Sequence, residues 1–188
     1  MDFDSLLYRR VLGQFATGVT VVTTTTRSGE PWAMTANSFT SISLDPPIVL
    51  VSVSRGITTN DAIRASGVFA VNILRAEQIE LAQRYSRRER PPDQFADIET
   101  STASTGSLII AGCLGWVDCQ LAEVTEQGDH TVFFGTVESL DIAEQGGDPL
   151  LYYHSSYARI EPDPRSLPNE AAAKQGRLIY FDAEAGNY

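Results

Sequence analysis

Runs of apolar and β-branched residues, bounded by glycine and proline, recur along this chain and predict a protein built mainly from strands. The clearest run covers residues 48–51, an apolar segment between Pro46-Pro47 and Gly56 that is typical of a buried strand. Two longer segments alternate apolar and polar residues, and Gln127-Gly128-Asp129 between them favours a hairpin turn. The strands predicted in this way cover residues 18–26, 48–51, 68–73, 108–110, 114–125 and 131–142. A further strand is predicted to start at Trp32, and the last strand segment is expected within residues 150–160.

Helical periodicity is confined to short segments, so the helices are expected at the periphery of the sheet. Asp4 or Ser5 can cap the first helix, which carries an apolar stripe. That stripe consists of Leu7, Val11, Leu12 and Phe15. The second helix is expected to end at Gly67, which fits a left-handed cap. The predicted helices cover residues 6–15, 59–65 and 76–85, whereas 98–107 is poor in apolar residues and predicts a loop.

Length and charge limit the kinds of partner that the protein can have. The chain of 188 residues is long enough for one domain, and its net charge of −10 argues against nucleic acid or an anionic membrane as main partner. Residues 1–10 lack the order of a signal peptide and no apolar run has the length of a membrane span, so a cytoplasmic protein is expected. Cys113 and Cys119 flank a predicted strand and are expected to be free thiols.

Several kinds of catalytic site are disfavoured by what the sequence lacks. Neither His130 nor His154 has a second histidine or cysteine at metal-ligand spacing, so no metal site is expected. The sequence contains no glycine-rich dinucleotide or phosphate-loop motif and no nucleophile in a recognised catalytic context. A protein this poor in acid–base groups fits chemistry that a bound cofactor carries.

Hydroxyl side chains and one arginine are concentrated after the buried strand over 48–51, at the mouth of the helix over 59–65. Unpaired N–H groups and the helix dipole favour an anion at such a position, so this segment is a candidate phosphate site. The alternative interpretation is that Thr58, Thr59, Asn60 or Asp61 caps the helix and that the hydroxyl residues of the strand lie on its exposed face. The residues of the candidate phosphate site are Ser52, Ser54, Arg55, Thr58 and Thr59.

Other side chains leave two interpretations open. Trp32 belongs to the core or lies against a flat ligand, and His130 is an edge residue of its strand or faces a ligand. Asn72, inside a predicted buried strand, supports the candidate phosphate loop or pairs with the end of a neighbouring strand. A cluster of arginines near Pro91-Pro92 forms a solvated loop or contacts a pyrophosphate. This cluster consists of Arg84, Arg87, Arg88 and Arg90.

The order of residues 34–63, MTANSFTSISLDPPIVLVSVSRGITTNDAI, resembles that of the flavin reductase family. The similarity continues through the segments FAVNIL at 69–74, DQF at 93–95, GDHT at 128–131 and PLLY at 149–152, and it covers residues 6–160. Members of this family are NAD(P)H:flavin oxidoreductases with an FMN-binding split β-barrel. Many are reductase components of two-component flavin-dependent monooxygenases. The resemblance therefore implies a split barrel over residues 1–160.

The resemblance also implies FMN or FAD as cofactor, NADH or NADPH as hydride donor, a homodimer, and a flavin-dependent monooxygenase as partner. His130 and Tyr157 would border the face on which the second substrate stacks. The isoalloxazine ring would lie on the backbone and side chains of Thr35, Ala36, Asn37 and Ser38. The ribityl chain would follow Ser52 and Val53, and the phosphate would bind Ser54, Arg55, Thr58 and Thr59.

Two departures from the family pattern keep other functions open. This chain has His154-Ser155-Ser156 where many relatives have Gly-Arg before the tyrosine, which puts nicotinamide binding in question. It also has an extension, residues 161–188, whose apolar segment Leu178-Ile179-Tyr180-Phe181 is expected to dock on the barrel or a partner subunit. A flavin-retaining oxidoreductase or oxygenase that acts on an organic substrate is therefore an alternative to the reductase, and a non-enzymatic flavin-binding module is a third interpretation.

Overall fold

The computed structural model describes residues 3–88, 93–144 and 146–160, and strands predominate over this part of the chain. The strands are β1 (Thr17–Gly18), β2 (Thr20–Thr25), β3 (Pro31–Ala36), β4 (Thr40–Leu44), β5 (Pro47–Ser54), β6 (Val68–Ile73), β7 (Thr100–Thr102), β8 (Leu108–Ile110), β9 (Gly115–Gln127), β10 (His130–Ile142), β11 (Leu151–Tyr153) and β12 (Ser156–Ala158). The helices are α1 (Ser5–Leu12), α2 (Thr58–Ser66) and α3 (Ile79–Ser86), the last preceded by a 3-10 turn over Ala76–Gln78. The class expected from the sequence, mainly β with peripheral helices, is confirmed.

The main sheet has seven antiparallel strands in the order β3-β2-β6-β9-β10-β5-β4, and its two edge strands are consecutive in the chain. Ala36, at the end of β3, pairs with Thr20 of β2. Ser38, two residues later, bonds instead to Ser52 of β5: its Oγ donates to the carbonyl at 2.7 Å and accepts the N–H at 3.2 Å. Consecutive Cα atoms are about 3.8 Å apart, so the two edges meet here. The sheet closes into a barrel whose seam lies at Ser38.

Apolar side chains pack in two layers, one inside the barrel and one between the barrel and α3. Strand β2 contributes to both, because alternate side chains of a strand point to opposite faces. Val22 packs inside with Phe69 and Phe133, and Val21 packs in the outer layer. Inside the barrel, Gly135 is required by space, since a Cβ atom there would lie 2.6 Å from Phe69 Cζ. This core fixes the strands that carry the candidate site.

Helix α1 begins as the sequence predicts but does not bury its apolar stripe within the described chain. The Asp4 carboxylate caps it by accepting the N–H groups of Leu6 and Leu7, both at 2.9 Å. The helix ends at Leu12, so the predicted extent to Phe15 is wrong, and Gly13 caps it. The side chains of the stripe are 54–76% exposed, and α1 has no buried residue. An apolar helix face left this open is a candidate for contact with another chain.

Two strands lie where no strand was predicted. Edge strand β4 was missed, and β7 lies within the segment 98–107 that was predicted as loop. Strand β7 forms because its backbone pairs with β8, a tertiary contact that local composition does not reveal. Other boundaries agree closely with prediction: β6 matches it, and α2 ends at Gly67, whose φ of 70° is left-handed. Arg90 and the extension 161–188 lie outside the described residues.

Buried polar side chains tie the strands together. Asn72 is fully buried; its amide donates to the carbonyl of Val21 at 3.1 Å and to Thr23 Oγ1 at 3.3 Å. Its Oδ1 accepts the N–H of Ile110 at 2.8 Å. Of the two interpretations, pairing with neighbouring strands is therefore the correct one. Cys113 and Cys119 are buried free thiols, as expected from the sequence.

Candidate functional site

The candidate phosphate loop lies between β5 and α2, beside the hairpin turn that joins β9 to β10. Strands β5 and β10 are antiparallel, and Ser54 is opposite His130 in their register. One residue further, the backbone N–H of Arg55 donates to the carbonyl of Asp129 at 2.9 Å. Pairing of β5 with β10 thus brings together two segments that are far apart in the sequence.

The start of α2 leaves backbone donors without a side-chain cap. Its N-cap residue is Ile57, which makes no side-chain capping bond, and Gly56 before it has a φ of 77°. The interpretation of one of residues 58–61 as the helix cap is wrong, because all four lie inside the helix. Thr58 is exposed, whereas the Thr59 hydroxyl is buried and accepts the indole N–H of Trp32 at 3.0 Å. A helix start without a side-chain cap fits an anion.

Asn60 and Arg64, one turn apart on α2, hold this loop in place, and neither was proposed as a site residue from the sequence. The Asn60 amide donates to the carbonyls of Val53 and Ser54, at 3.2 and 3.3 Å. Arg64 donates to Asn60 Oδ1 at 3.0 Å, and its guanidinium lies 5.7 Å from the ring centre of Phe133. The spacing i, i+4 puts both side chains on one face of the helix, a signal that the sequence did contain.

Glu126 connects the two arginines of the site. Arg64 Nη2 lies 3.0 Å from its carboxylate, and Arg55 Nη1 lies 3.5 Å away. The Arg55 side chain is 52% exposed. Because its contact with Glu126 is long and open to solvent, Arg55 is available to a phosphate at small cost.

His130 is held between two polar side chains at the other side of the loop. Its Nε2 lies 3.1 Å from Ser54 Oγ, and its Nδ1 lies 2.7 Å from Asp129 Oδ1. The hydrogen bond with His130 holds the pKa of the Asp129 carboxyl below its usual range. The ionised carboxylate therefore orients the imidazole with a proton on Nδ1 and Nε2 directed towards Ser54. From the sequence, Asp129 was named as part of a turn and of the GDHT segment, without a role of its own.

A cleft of about 210 Å³ forms the second part of the candidate site. It is lined by Thr35, Ala36, Asn37 and Tyr157, all proposed from the sequence, and by Val19, Ser86 and Tyr152, which were not. Tyr157 packs edge-on against Tyr152, with ring centres 5.6 Å apart. Partial burial raises the pKa of Tyr157 above its usual value.

Several proposed side chains make internal hydrogen bonds. The Thr35 hydroxyl donates to the carbonyl of Ala82 on α3 at 2.7 Å, and Asn37 donates to Thr17 at 3.1 Å. The carbonyl of Ala36 accepts a bond from Thr20 at 2.8 Å. A flat ligand at residues 35–38 would therefore meet mainly backbone and the seam at Ser38. The predicted residues fall into two groups: Ser54, Arg55 and His130 surround the loop, whereas Tyr157 lines the cleft with residues 35–37.

The segment His154-Ser155-Ser156, which departs from the family pattern, forms hydrogen bonds with the residues that follow α1 and so attaches this helix to the barrel. His154 and Ser155 have φ values of 50° and 60°, the left-handed conformation of a tight turn between β11 and β12. The His154 N–H donates to the carbonyl of Gly13 at 3.0 Å, and its Nε2 lies 2.8 Å from Gln14 Oε1. In this chain the turn therefore has a structural role.

The closed antiparallel barrel, with its candidate phosphate loop and adjoining cleft, has the architecture of a split barrel of the flavin-binding class. Residues 12–161 match the family model described as flavin reductase like domain, and the chain belongs to this family. The resemblance found in residues 6–160 is confirmed. Within the described ranges, no helix is long and apolar enough to cross a membrane, and no cluster of side chains is suited to a metal ion.

Similar proteins are known by sequence and by structure. The reductase subunit HsaB of a flavin-dependent monooxygenase from Mycobacterium tuberculosis is 42% identical over 163 residues, which is 86% of each chain. An NADH-dependent FAD reductase of Streptomyces globisporus is 38% identical over 165 residues, covering 85% of this chain and 88% of that protein. The crystal structure of nitrilotriacetate monooxygenase component B from Mycobacterium thermoresistibile has a TM-score of 0.82 and 37% identity, and covers 98% of this chain and 96% of that one.

Proposed function

We propose that this protein is an NAD(P)H-dependent flavin reductase, which transfers a hydride from NADH or NADPH to FMN or FAD and supplies reduced flavin to a partner monooxygenase. The observation that carries the proposal is the uncapped start of α2 beside Arg55 and the hairpin of His130, in a member of the flavin reductase family. Two relatives, an NADH-dependent FAD reductase and an NADH-dependent FMN reductase, favour NADH as donor. The HsaB subunits favour a monooxygenase partner.

The described residues fit a flavin. The ring would rest on the backbone of residues 35–38, with the ribityl chain along Ser52. The phosphate would accept bonds from Ser54, Arg55 and the start of α2 at Thr58. Val53 and Thr59, which the sequence also suggested, are 1% exposed, and the Thr59 hydroxyl is bonded to Trp32, so neither is open to a ligand in this structure.

The flavin itself supplies the ring that accepts the hydride, so the protein needs to position two substrates and stabilise negative charge. His130 would orient the second substrate, since Asp129 and Ser54 fix both of its ring nitrogens. Tyr157, held against Tyr152, would form the wall of the cleft on which that substrate stacks. A tyrosine hydroxyl is protonated at neutral pH, and partial burial raises its pKa further, so it can donate a hydrogen bond.

We further propose that the working form is a homodimer. The cleft of about 210 Å³ is smaller than the range of about 300–1,000 Å³ typical of ligand sites, so a second chain would be needed to complete it. The exposed apolar face of α1 supports the same conclusion. Residues 161–188 would form an extension outside the domain 1–160, docked on the barrel or on the second subunit through Leu178-Ile179-Tyr180-Phe181. The free thiols support a cytoplasmic location.

The test is an anaerobic titration of the purified full chain with excess FMN or FAD and NADH, following the absorbance of oxidised flavin. Bleaching of many equivalents of flavin is the expected result. If only protein-bound flavin bleaches, the alternative of a flavin-retaining oxidoreductase with its own organic substrate replaces the reductase. Tight flavin binding without any bleaching would instead indicate a binding module. Repeating the titration with NADPH identifies the preferred donor.

A further inference from the structure

We propose that the flavin used by this protein is FAD and that its adenylate half lies in a cavity between α2 and the turn joining β2 to β3. We call this cavity the α2 groove. It has a volume of about 430 Å³ and is lined by Thr26, Arg27, Thr58, Asp61, Ala62, Arg64 and Ala65. The proposal rests on the proposed function and extends it from a flavin to one particular flavin.

The groove begins where the flavin phosphate is proposed to bind. Thr58, at the first turn of α2, lines it and also belongs to the candidate phosphate loop. Thr58, Asp61, Ala62 and Ala65 have the spacing i, i+3, i+4, i+7 and therefore share one face of the helix. At a rise of 1.5 Å per residue, this face is about 10 Å long. A ligand attached to the phosphate would therefore continue directly along it.

Two polar side chains of the groove have no partner within the described part of the protein. Over residues 3–88, 93–144 and 146–160, the side chains of Arg27 and Asp61 make no hydrogen bond or ion pair in the structure. Arg64 differs, since Glu126, Asn60 and Thr131 fix its guanidinium. The groove therefore combines one rigid wall with two polar groups that lack partners among the described residues.

These two groups suit the two ends of an adenylate. A carboxylate such as that of Asp61 accepts hydrogen bonds from ribose hydroxyls. The planar guanidinium of Arg27 can stack on a purine or pair with a phosphate. Ala62 and Ala65 keep the floor of the groove shallow and apolar, which suits the face of a purine ring. FMN has neither ribose nor purine and would leave the groove empty.

The groove carries two arginines and one carboxylate, and Glu126 pairs with Arg64 at 3.0 Å. Arg27 is therefore the cation of the lining that is left for an anionic nucleotide, in a chain that is acidic overall. The adenylate of the nicotinamide cofactor has the same chemistry. We assign the groove to FAD because its lining includes Thr58 of the phosphate loop, whereas Tyr157, proposed to face the nicotinamide cofactor, lines a different cleft.

The test compares FAD with FMN in the full-length protein and in the variants Arg27→Ala, Ala65→Phe and Arg10→Ala. Arg27→Ala removes the stacking or pairing group, and Ala65→Phe fills the groove from an exposed position. Arg10→Ala is the matched control, because it removes an exposed arginine outside the groove. For each protein, kcat/KM is measured with both flavins, and Kd is measured by quenching of flavin fluorescence.

We expect wild type to prefer FAD, and each groove variant to lower the ratio of FAD to FMN in kcat/KM and in affinity by about tenfold or more. Arg10→Ala should leave that ratio unchanged. AMP should compete with FAD, not with FMN, and Ala65→Phe should abolish this competition. Equal losses for FAD and FMN, or an unchanged ratio, would overturn the proposal. A raised KM for NADH with an unchanged response to FAD would overturn it too, by assigning the groove to the nicotinamide cofactor.

The experiment also separates failure of this inference from failure of the proposed function. If wild type turns over neither flavin, the reductase function is wrong, but the fluorescence titrations still compare FAD with FMN. If it turns over both flavins and the variants do not discriminate between them, the reductase stands and the assignment of the groove is wrong.

Discussion

Replacing Arg55 by alanine should weaken binding of FMN while leaving binding of riboflavin, which has no phosphate, nearly unchanged. A hydrogen bond to a charged group contributes about 1.5–3 kcal/mol. Arg55 would give up its contact with Glu126, which is 3.5 Å long and half exposed; such a pair is worth about 0.2–1 kcal/mol. The net loss is then about 0.5–2.8 kcal/mol, or about 2- to 110-fold in Kd.

Fluorescence titration of both flavins with wild type and Arg55→Ala measures this loss. Arg9→Ala, which also removes one exposed positive charge, controls for the general field of the protein. Glu126→Gln should have the opposite effect on FMN, because it releases Arg55, and the gain should be smaller in the Arg55→Ala background, where only the contact of Glu126 with Arg64 is changed. An equal loss for riboflavin and FMN would refute the reasoning, since the effect would then not depend on the phosphate.

Three further outcomes follow from the structure. His130→Ala should slow hydride transfer by about 10- to 100-fold in single-turnover experiments, with flavin affinity nearly intact, because it removes a positioning group. Asn72→Ala should lower the free energy of unfolding by about 2–4 kcal/mol in urea titrations, since it leaves buried backbone groups unpaired; exposed Asn37→Ala should cost far less. Burial raises the pKa of Cys113 to about 11 and of Cys119 to about 12, from 9.0. The unfolded thiols ionise first, so stability should fall above about pH 9, by about 1.4 kcal/mol per thiol and pH unit.

Each of these outcomes has a result that contradicts it. Normal hydride transfer together with a lowered melting temperature in His130→Ala would indicate a purely structural histidine. A change below about 0.5 kcal/mol in Asn72→Ala, the size of an ordinary surface substitution, would mean that the network around it is replaced by water. If Cys119→Ala has the same alkaline loss of stability as wild type, the Cys119 thiol is not its source.

The local sequence pattern predicted those elements whose apolar residues are buried and whose ends are marked by turn-forming residues. The apolar run over 48–51 and the helix ending at Gly67 are of this kind, since each has its own boundary residues in the sequence. Strand β4 was missed because it is short and mostly polar, with only Ile42 and Leu44 as apolar residues, and both are exposed in the structure. The stripe on α1 was recognised correctly as apolar, but a pattern cannot tell burial within the chain from burial against another.

The residues of the candidate site also divide into those that a local sequence pattern predicts and those that depend on tertiary contacts. Arg55 and the start of α2 follow directly from one strand–turn–helix segment, so the sequence contained enough to propose them. Asp129 and Glu126 gain their roles only because β5 pairs with β10, which places the hairpin beside the phosphate loop. Whether a hydroxyl faces a ligand or the protein, as for Thr35, depends on packing against α3 that no local pattern encodes.

The seam at Ser38 lies within the candidate ligand site, so the proposed binding position and the point where the barrel closes coincide. Along most of β5 the backbone is held by ladders to β4 and β10, but the N–H of Ser52 on the seam side is held by a single hydroxyl. Opening the barrel there breaks bonds to one side chain and leaves every backbone ladder intact. The rate of hydrogen exchange at the Ser52 amide therefore reports how often the barrel opens, and its measurement needs no added probe group.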